Sequence, residues 1–190
     1  MKTISMILTL VLAVFGYAEA SAQQDSSKTM EQQKILVVYY SWSGNTEAVA
    51  RLIQSETKAD LFEIELQNPY PANYSACVDE YRADKRENRV RPLKSKVENI
   101  AGYDIIFLGS PIWSGTIAPP VKTFLSGHDL SGKRIIPFVT HGGGGAGSSF
   151  TDMKKLAPRA EFSKGLSLYG SRSGFDGEVK KWLKQMEVEK

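Results

Sequence analysis

The chain has 190 residues, of which 42% are hydrophobic, so it is long enough to bury the core of one domain. Its formal net charge of +3 comes from 24 basic and 21 acidic residues spread along the sequence, which gives no basis for a nucleic-acid-binding surface. The single cysteine, Cys77, excludes an internal disulfide and a cysteine-rich metal site, and the 2 histidines argue against a structural zinc site.

The first 22 residues have the pattern of a secretory signal peptide. Lys2 supplies a positive start, residues 4–15 form an apolar run, and residues 20–22 (Ala-Ser-Ala) have the small side chains of a cleavage site. The apolar run is too short for an ordinary transmembrane helix, and no cysteine near the cleavage site offers a lipid attachment point. We therefore expect an exported, periplasmic protein that has no stable membrane anchor after cleavage.

The rest of the chain alternates strand-like and helix-like segments after a polar leader. Residues 23–33 lack periodicity and are typical of a disordered leader. The alternation that follows predicts one α/β domain over residues 34–190, with a parallel sheet. Strands are predicted at residues 34–40, 61–66, 104–109, 134–140 and 162–168, and helices from about residue 46, within 74–91, at 119–125, up to 156 and at 176–186.

Three of the predicted strands are strongly apolar and end in unusual loops. Residues 34–40 lead into Ser-Trp-Ser-Gly-Asn-Thr, which is rich in hydroxyls and backbone donors and precedes a helix. Residues 104–109 lead into Ser-Pro-Ile-Trp-Ser-Gly, and residues 134–140 lead into His and a glycine run. Because the carboxyl ends of parallel strands meet at one edge of a sheet, we expect these loops to lie together. A donor-rich loop, an aromatic wall and a flat backbone suit a planar, phosphorylated cofactor.

These three loops resemble the cofactor-binding loops of flavodoxins. Residues 41–46 (SWSGNT) are similar to the FMN phosphate loop, written [ST]-x-[ST]-G-[NT]-T. Residues 109–116, followed by prolines at 119 and 120, resemble the second loop of the short flavodoxin-like branch, and residues 140–144 resemble the third loop. The resemblance covers residues 34–186 and implies a three-layer sandwich with a five-stranded parallel sheet in the order 2-1-3-4-5, which binds FMN non-covalently.

The resemblance also implies which residues contact the cofactor. The first loop would hold the phosphate through hydroxyl, amide and backbone N–H groups, and the other two loops would flank the isoalloxazine ring. No catalytic side chain or metal ligand is expected. The residues expected to bind FMN are Ser41, Trp42, Ser43, Gly44, Asn45 and Thr46 in the first loop, Pro111, Ile112, Trp113, Ser114 and Gly115 in the second, and Thr140, His141, Gly142 and Gly143 in the third.

Several residues allow two interpretations. His141 either donates a hydrogen bond at the flavin edge, where a protonated imidazole would stabilise an anionic reduced flavin, or faces water. Trp42 either shields the phosphate or only covers its loop. Residues 74–91 are interpreted as a solvated helix and loop, with a lid or a docking face for an electron partner as the alternative. Cys77 is interpreted as a small filler, because nothing near it in sequence supplies a base, and His128 as a surface turn residue.

Two glycine motifs match other nucleotide-binding patterns only formally. Residues 142–147 spell G-x-G-x-x-G, but they follow the fourth predicted strand, and Glu161 begins the next strand instead of ending it. Residues 127–133 spell G-x-x-x-x-G-K, but Arg134 follows and leads into a strand, so a tight turn is the better explanation.

The preferred hypothesis is an exported, FMN-binding electron-transfer protein of the oxidoreductase class. Its partner would be a redox protein or a small-molecule acceptor such as a quinone. One alternative is an FMN-dependent NAD(P)H or quinone reductase. The other is a module of the same fold that has lost the cofactor and binds a different phosphate or none.

Overall fold

The structure is a computed structural model that describes residues 33–170 and 174–187, and these residues form a mainly parallel sheet with helices on both faces. The predicted signal peptide and residues 23–32 of the predicted leader lie outside the described residues. No helix among the described residues combines the length and the apolar character that crossing a bilayer requires.

The strands are β1 (Ile35–Tyr39), β2 (Asp60–Glu63), β3 (Ile105–Trp113), β4 (Thr116–Ile117), β5 (Arg134–His141), β6 (Glu161–Phe162) and β7 (Leu166–Tyr169). The helices are α1 (Asn45–Thr57), α2 (Tyr74–Arg86), α3 (Pro119–Gly127), α4 (Ser149–Leu156) and α5 (Asp176–Met186), with a 3-10 turn at Ile100–Gly102.

The central sheet has the strand order β2-β1-β3-β5-β6, and all of these neighbours are parallel. β6 and β7 both pair with β5, so together they occupy the fifth position. Between them, a Cβ added to Gly165 would come within 2.5 Å of the Phe150 ring of α4, which shows how closely the chain packs at this break. The predicted order 2-1-3-4-5 is therefore confirmed, with the last strand in two pieces.

Two apolar clusters join the three layers. Alternate residues of the central strands face opposite sides of the sheet, and one side packs against α1 and α5 while the other packs against α3 and α4. Burying each large apolar side chain stabilises the fold by about 1.5–3 kcal/mol. Fully buried members are Val37, Ile53, Phe107 and Val179 in the first cluster, and Val38, Leu108, Phe124 and Met153 in the second.

β3 is longer than predicted, because the chain after it folds back as a hairpin. The predicted strand ended at Gly109, but the observed strand continues to Trp113, which pairs antiparallel with Thr116 of β4. Ser114 and Gly115 connect the two with φ values of 49° and 79°, the left-handed conformation that two-residue hairpin turns need. The second predicted loop is thus a short, hydrogen-bonded hairpin.

α2 packs outside the two main clusters. It belongs to a smaller cluster of Leu66, Tyr70 and Cys77, with Trp42 and Trp113 packed against it. Since these tryptophans lie just after β1 and at the end of β3, α2 covers the edge of the sheet where the three predicted loops meet.

Candidate functional site

One cavity of about 490 Å³ lies at the edge of the sheet where β1, β3 and β5 end. All three predicted loops line it, which agrees with the expectation that they lie together. The lining residues from these loops are Trp42, Ser43 and Asn45 from the first, Pro111, Ile112, Trp113 and Ser114 from the second, and Thr140, His141 and Gly142 from the third. The other predicted residues, Ser41, Gly44, Thr46, Gly115 and Gly143, are not among the lining residues. Their contacts shape the loops.

The first loop presents the N-terminus of α1 to this cavity. Gly44 precedes the helix with φ 86°, a conformation that favours glycine, and its N–H donates to Ser41 Oγ at 3.1 Å. A glycine at the N-cap position supplies no capping side chain, and the first N–H groups of a helix have no partner within it. Together with the helix dipole, these donors favour an anion beside Asn45.

A hydroxyl pair joins the first loop to the third. Thr46 Oγ1 and Thr140 Oγ1 lie 2.8 Å apart, and the two residues are only 1% and 3% exposed. The hydroxyl of Thr46 therefore helps to hold the start of α1 against the end of β5.

Trp113 forms an aromatic wall of the cavity. Its indole meets the rings of Tyr40, Tyr70 and Tyr81 edge to face, with centroid distances of 6.0, 4.9 and 5.4 Å. Such aromatic pairs stabilise by about 0.5–1.5 kcal/mol each beyond the area that they bury. Trp113 is therefore held by its neighbours on one side and borders the cavity on the other.

His141 organises the third loop. Its Nδ1 accepts hydrogen bonds from the N–H groups of Gly143 at 3.1 Å and Gly145 at 3.2 Å, and its ring lies 5.8 Å from that of Tyr169. Because Nδ1 accepts both bonds, Nε2 is the ring nitrogen that is available as a donor. The two bonds hold the backbone of the glycine run against the imidazole. His141 can still donate a hydrogen bond into the cavity that it lines.

The second and third loops are fastened to each other. The N–H of Ser148 donates to the Gly115 carbonyl at 2.9 Å, and Asp152 accepts from Thr116 Oγ1 at 2.6 Å and Ser148 Oγ at 2.5 Å. Hydrogen bonds from Ser148 and Thr116 hold the pKa of Asp152 below its usual range. A Cβ on Gly147 would lie 2.0 Å from the Gly115 carbonyl oxygen, so only glycine allows this approach.

α2 supplies a wall of the cavity that the loop motifs did not predict. Tyr74, Cys77, Val78, Tyr81 and Arg82 line the cavity from this helix, and Gly170 also contributes. The interpretation of this segment as a solvated helix is therefore wrong for one face. A signal was present, because positions 74, 78 and 81 have the i, i+4, i+7 spacing of a single helix face.

The sequence left open the roles of Trp42 in the first loop and Cys77 in α2, and the structure gives the surroundings of both. Trp42 donates from Nε1 to the Pro71 carbonyl at 2.9 Å, and its ring lies 6.2 Å from that of Tyr74. Cys77 is buried beside the cavity, and burial raises the pKa of its thiol, which lowers the fraction of reactive thiolate.

A buried ion cluster fixes α2 against the chain that follows it. Asp84 accepts hydrogen bonds from Arg91 Nε at 2.5 Å and Tyr70 Oη at 2.8 Å, and Arg89 lies 3.1 Å from its other oxygen. Arg91 also pairs with Glu80 at 2.7 Å, and its guanidinium lies 4.0 Å over the Tyr70 ring. Burial alone would raise the pKa of Asp84, but the hydrogen bonds from Arg91 and Tyr70 outweigh it and hold that pKa below its usual value. Because Tyr70 packs on Trp113, the cluster supports the aromatic wall.

Residues 127–133, the second of the two formal glycine motifs, have a structural role. Lys133 is buried, and its Nζ donates to the carbonyls of Ala101 at 3.0 Å and Tyr103 at 2.7 Å. Gly132 has φ 70°, as a tight turn after α3 allows. The lysine is therefore engaged by the protein backbone, in agreement with the prediction of a turn.

Comparison with known proteins identifies the family. Residues 34–186 match the family model described as Flavodoxin, and this chain belongs to that family. A crystal structure of a candidate flavoprotein from Bacteroides eggerthii DSM 20697 is 31% identical, covers 82% of this chain and 99% of its own, and superposes with a TM-score of 0.71. A flavoprotein from Lactobacillus acidophilus NCFM, crystallised in complex with FMN, is 28% identical, covers 79% of this chain and 98% of its own, and has a TM-score of 0.64.

A curated relative matches over a shorter stretch. The "NAD(P)H dehydrogenase (quinone)" of Cupriavidus metallidurans is 32% identical over 92 residues. These residues are 48% of this chain, and the match spans 45% of the length of that relative.

Proposed function

We propose that this protein binds FMN in the cavity at the edge of the sheet and transfers electrons through it. The observation that carries the proposal is that one cavity brings together the N-terminus of α1, the Trp113 wall and the third loop. The anion site would suit the phosphate of a flavin cofactor, and the aromatic surface and exposed backbone would suit its ring. The family membership and the FMN complex of the Lactobacillus acidophilus flavoprotein support the same cofactor.

The phosphate would bind at the start of α1. Ser43 and Asn45 line the cavity there, and the first-turn N–H groups add backbone donors and the positive end of the helix dipole. The described residues of this loop include no lysine or arginine, so neutral donors would hold the phosphate. Thr46 and Ser41 would act indirectly, by holding the loop in shape.

The ring would lie between the second and third loops. Pro111, Ile112, Trp113 and Ser114 would flank it on one side, and Thr140, His141 and Gly142 on the other. The Nε2–H of His141 would donate a hydrogen bond to the ring edge. When bound, FMN supplies the one- and two-electron chemistry, and no side chain of the protein needs to act as an acid or a base.

The visible absorption spectrum tests this proposal directly. We expect purified protein to carry flavin absorbance in the visible range, or to gain it in stoichiometric amount when FMN is added to the cofactor-free form. Protein that stays colourless and leaves the spectrum of added FMN unchanged would contradict the proposal, and would favour a module that has lost its cofactor.

A second candidate function is an FMN-dependent NAD(P)H or quinone reductase. The match to the quinone dehydrogenase of Cupriavidus metallidurans favours it, although that match covers less than half of the relative. Anaerobic mixing of the FMN-loaded protein with NADPH and with NADH separates the two candidates. Rapid loss of flavin absorbance would indicate the reductase, whereas inertness to both nucleotides would leave an electron carrier that a partner protein reduces.

The protein is also proposed to work outside the cytoplasm, in the periplasm. The support for this is the charge, apolar run and small-residue pattern of residues 1–22. Cell fractionation followed by N-terminal sequencing tests it. A periplasmic protein that begins at Gln23 is the expected result, and a cytoplasmic protein that keeps residues 1–22 would contradict export.

A further inference from the structure

α2 places a single formal charge in the lining of the cavity. Among the described lining residues, Arg82 is the one charged side chain, and none of them is a carboxylate. Arg82 pairs with Asp79 on the same helix at 3.8 Å, and the two side chains are 67% and 76% exposed. Exposed pairs of this kind contribute little to stability, so the guanidinium can exchange this partner for a better one.

Arg82 lies at the end of α2 that is remote from the first loop. Tyr74, the first residue of α2, contacts Trp42 of the first loop, whereas Tyr81 contacts Trp113 of the second loop. At a rise of 1.5 Å per residue, Arg82 lies about 12 Å further along the helix than Tyr74. The cation is therefore on the side of the cavity where the ring of FMN, and not its phosphate, is proposed to lie.

The surroundings of Arg82 include a buried ion cluster and aromatic rings. Asp84, two residues later, is buried in the ion cluster with Arg91, which fixes this part of α2. Tyr81 and Trp113 line the cavity beside it with their rings 5.4 Å apart. A ligand at this end would meet aromatic surface and a cation together, which suits a flat ring that carries a negative charge.

We propose that Arg82 selects the small molecule that exchanges electrons with the cofactor, and that this molecule is a planar aromatic compound with an acidic group. The ring of the ligand packs against the aromatic lining, and its carboxylate or sulfonate pairs with the guanidinium. This inference rests on the proposed FMN-dependent electron transfer, and it adds a specificity residue that none of the three loop motifs contains.

Equilibrium binding without turnover tests the inference. Isothermal titration calorimetry of the oxidised, FMN-loaded protein compares anthraquinone monosulfonate with the uncharged hydroxymethyl-anthraquinone. We expect the wild type to bind the sulfonate about tenfold more tightly than the neutral quinone, and this preference to shrink as salt is added. Arg82→Gln is expected to abolish the preference, and Arg82→Lys to retain part of it because the charge remains.

Arg86→Gln is the matched control, because it makes the same change one turn later on α2, at an exposed residue that does not line the cavity. It is expected to keep the wild-type preference for the sulfonate. Equal affinities of wild type and Arg82→Gln for the sulfonate would overturn the inference. So would a loss of affinity in Arg82→Gln for FMN but not for riboflavin, because Arg82 would then belong to the phosphate site. A wild type without flavin absorbance would instead contradict the proposed function itself.

Discussion

The hydroxyls of Thr46 and Thr140 meet at 2.8 Å across 94 residues of chain, and this bond joins the start of α1 to the end of β5. Thr46→Val keeps the shape of the side chain but leaves the buried Thr140 hydroxyl without this partner. We predict that the free energy of unfolding falls by about 1–3 kcal/mol, the usual cost of a buried polar group that loses its hydrogen bond. Urea unfolding of the cofactor-free protein measures the loss.

A double-mutant cycle provides the control for this bond. Thr140→Val is expected to cost a similar amount, and the double variant is expected to lose clearly less than the sum, because it leaves no unpaired hydroxyl. Strictly additive losses would show that the two hydroxyls do not interact.

Gly147 is predicted to be irreplaceable at the contact between the second and third loops. In Gly147→Ala the new Cβ would lie 2.0 Å from the Gly115 carbonyl oxygen, and the φ of 54° is already unfavourable for alanine. We expect a loss of at least about 2 kcal/mol in unfolding free energy and weaker FMN binding, since the two loops must separate. Gly144→Ala is the control, because a Cβ there meets nothing within 4 Å, and its stability should remain within about 0.5 kcal/mol of wild type. Equal effects of the two variants would refute this explanation.

The ion cluster behind α2 predicts a specific response to acid. The pKa of Asp84 is lower in the folded protein than its ordinary value, so its contribution to stability is complete above about pH 4 and is lost as the pH falls through the folded value. Arg91→Met, which leaves the carboxylate buried without its main partner, is expected to cost about 3–5 kcal/mol at neutral pH. Denaturant unfolding at pH 7 measures the effect of Arg91→Met, and denaturant unfolding between pH 5 and pH 3 measures the response to acid. Asp84→Asn should lose less stability than wild type between pH 5 and pH 3. An identical loss would show that Asp84 does not cause the response to acid.

His128 predicts a second pH effect, at a site remote from the cavity. Its Nδ1 donates to the Phe124 carbonyl at 2.9 Å, and its Nε2 accepts from the Val97 N–H at 3.3 Å, so the folded protein uses the neutral ring. Burial lowers the pKa of His128 below its usual 6.5. The stabilisation is therefore present above that value and is lost as the pH falls from it toward the folded pKa. Thermal unfolding at pH 7.5 and pH 5.5 should show a smaller drop for His128→Gln than for wild type, and equal drops would contradict this prediction.

The layers and the three loops could be predicted because their signals are local. Long apolar runs followed by glycine- and hydroxyl-rich loops predict buried parallel strands that end at one edge, and the cavity contains residues of all three loops. The hairpin after β3 was missed because Ser114 adopts a left-handed conformation that glycine or asparagine normally signals.

The ion cluster that supports the α2 wall could not be predicted, because its signal is not local. Asp84 and Arg91 belong to a charge-rich stretch that is typical of solvated surface, and only the fold pairs them inside the protein. His128 does follow α3, as expected for a turn residue, but its hydrogen bond with Val97, 31 residues earlier in the chain, could not be predicted either. Contacts between distant parts of the chain place Asp84 and Arg91 inside the protein, although their polarity is typical of exposed positions.

The central claim is that the phosphate of FMN binds at the N-terminus of α1. Dissociation constants of FMN and riboflavin, measured by fluorescence titration of cofactor-free wild type and Ser43→Ala, test it most directly. We predict that wild type prefers FMN, and that Ser43→Ala weakens FMN about tenfold or more while riboflavin affinity stays the same, because a hydrogen bond to a charged group contributes about 1.5–3 kcal/mol. Equal affinity of the wild type for FMN and riboflavin would contradict the claim.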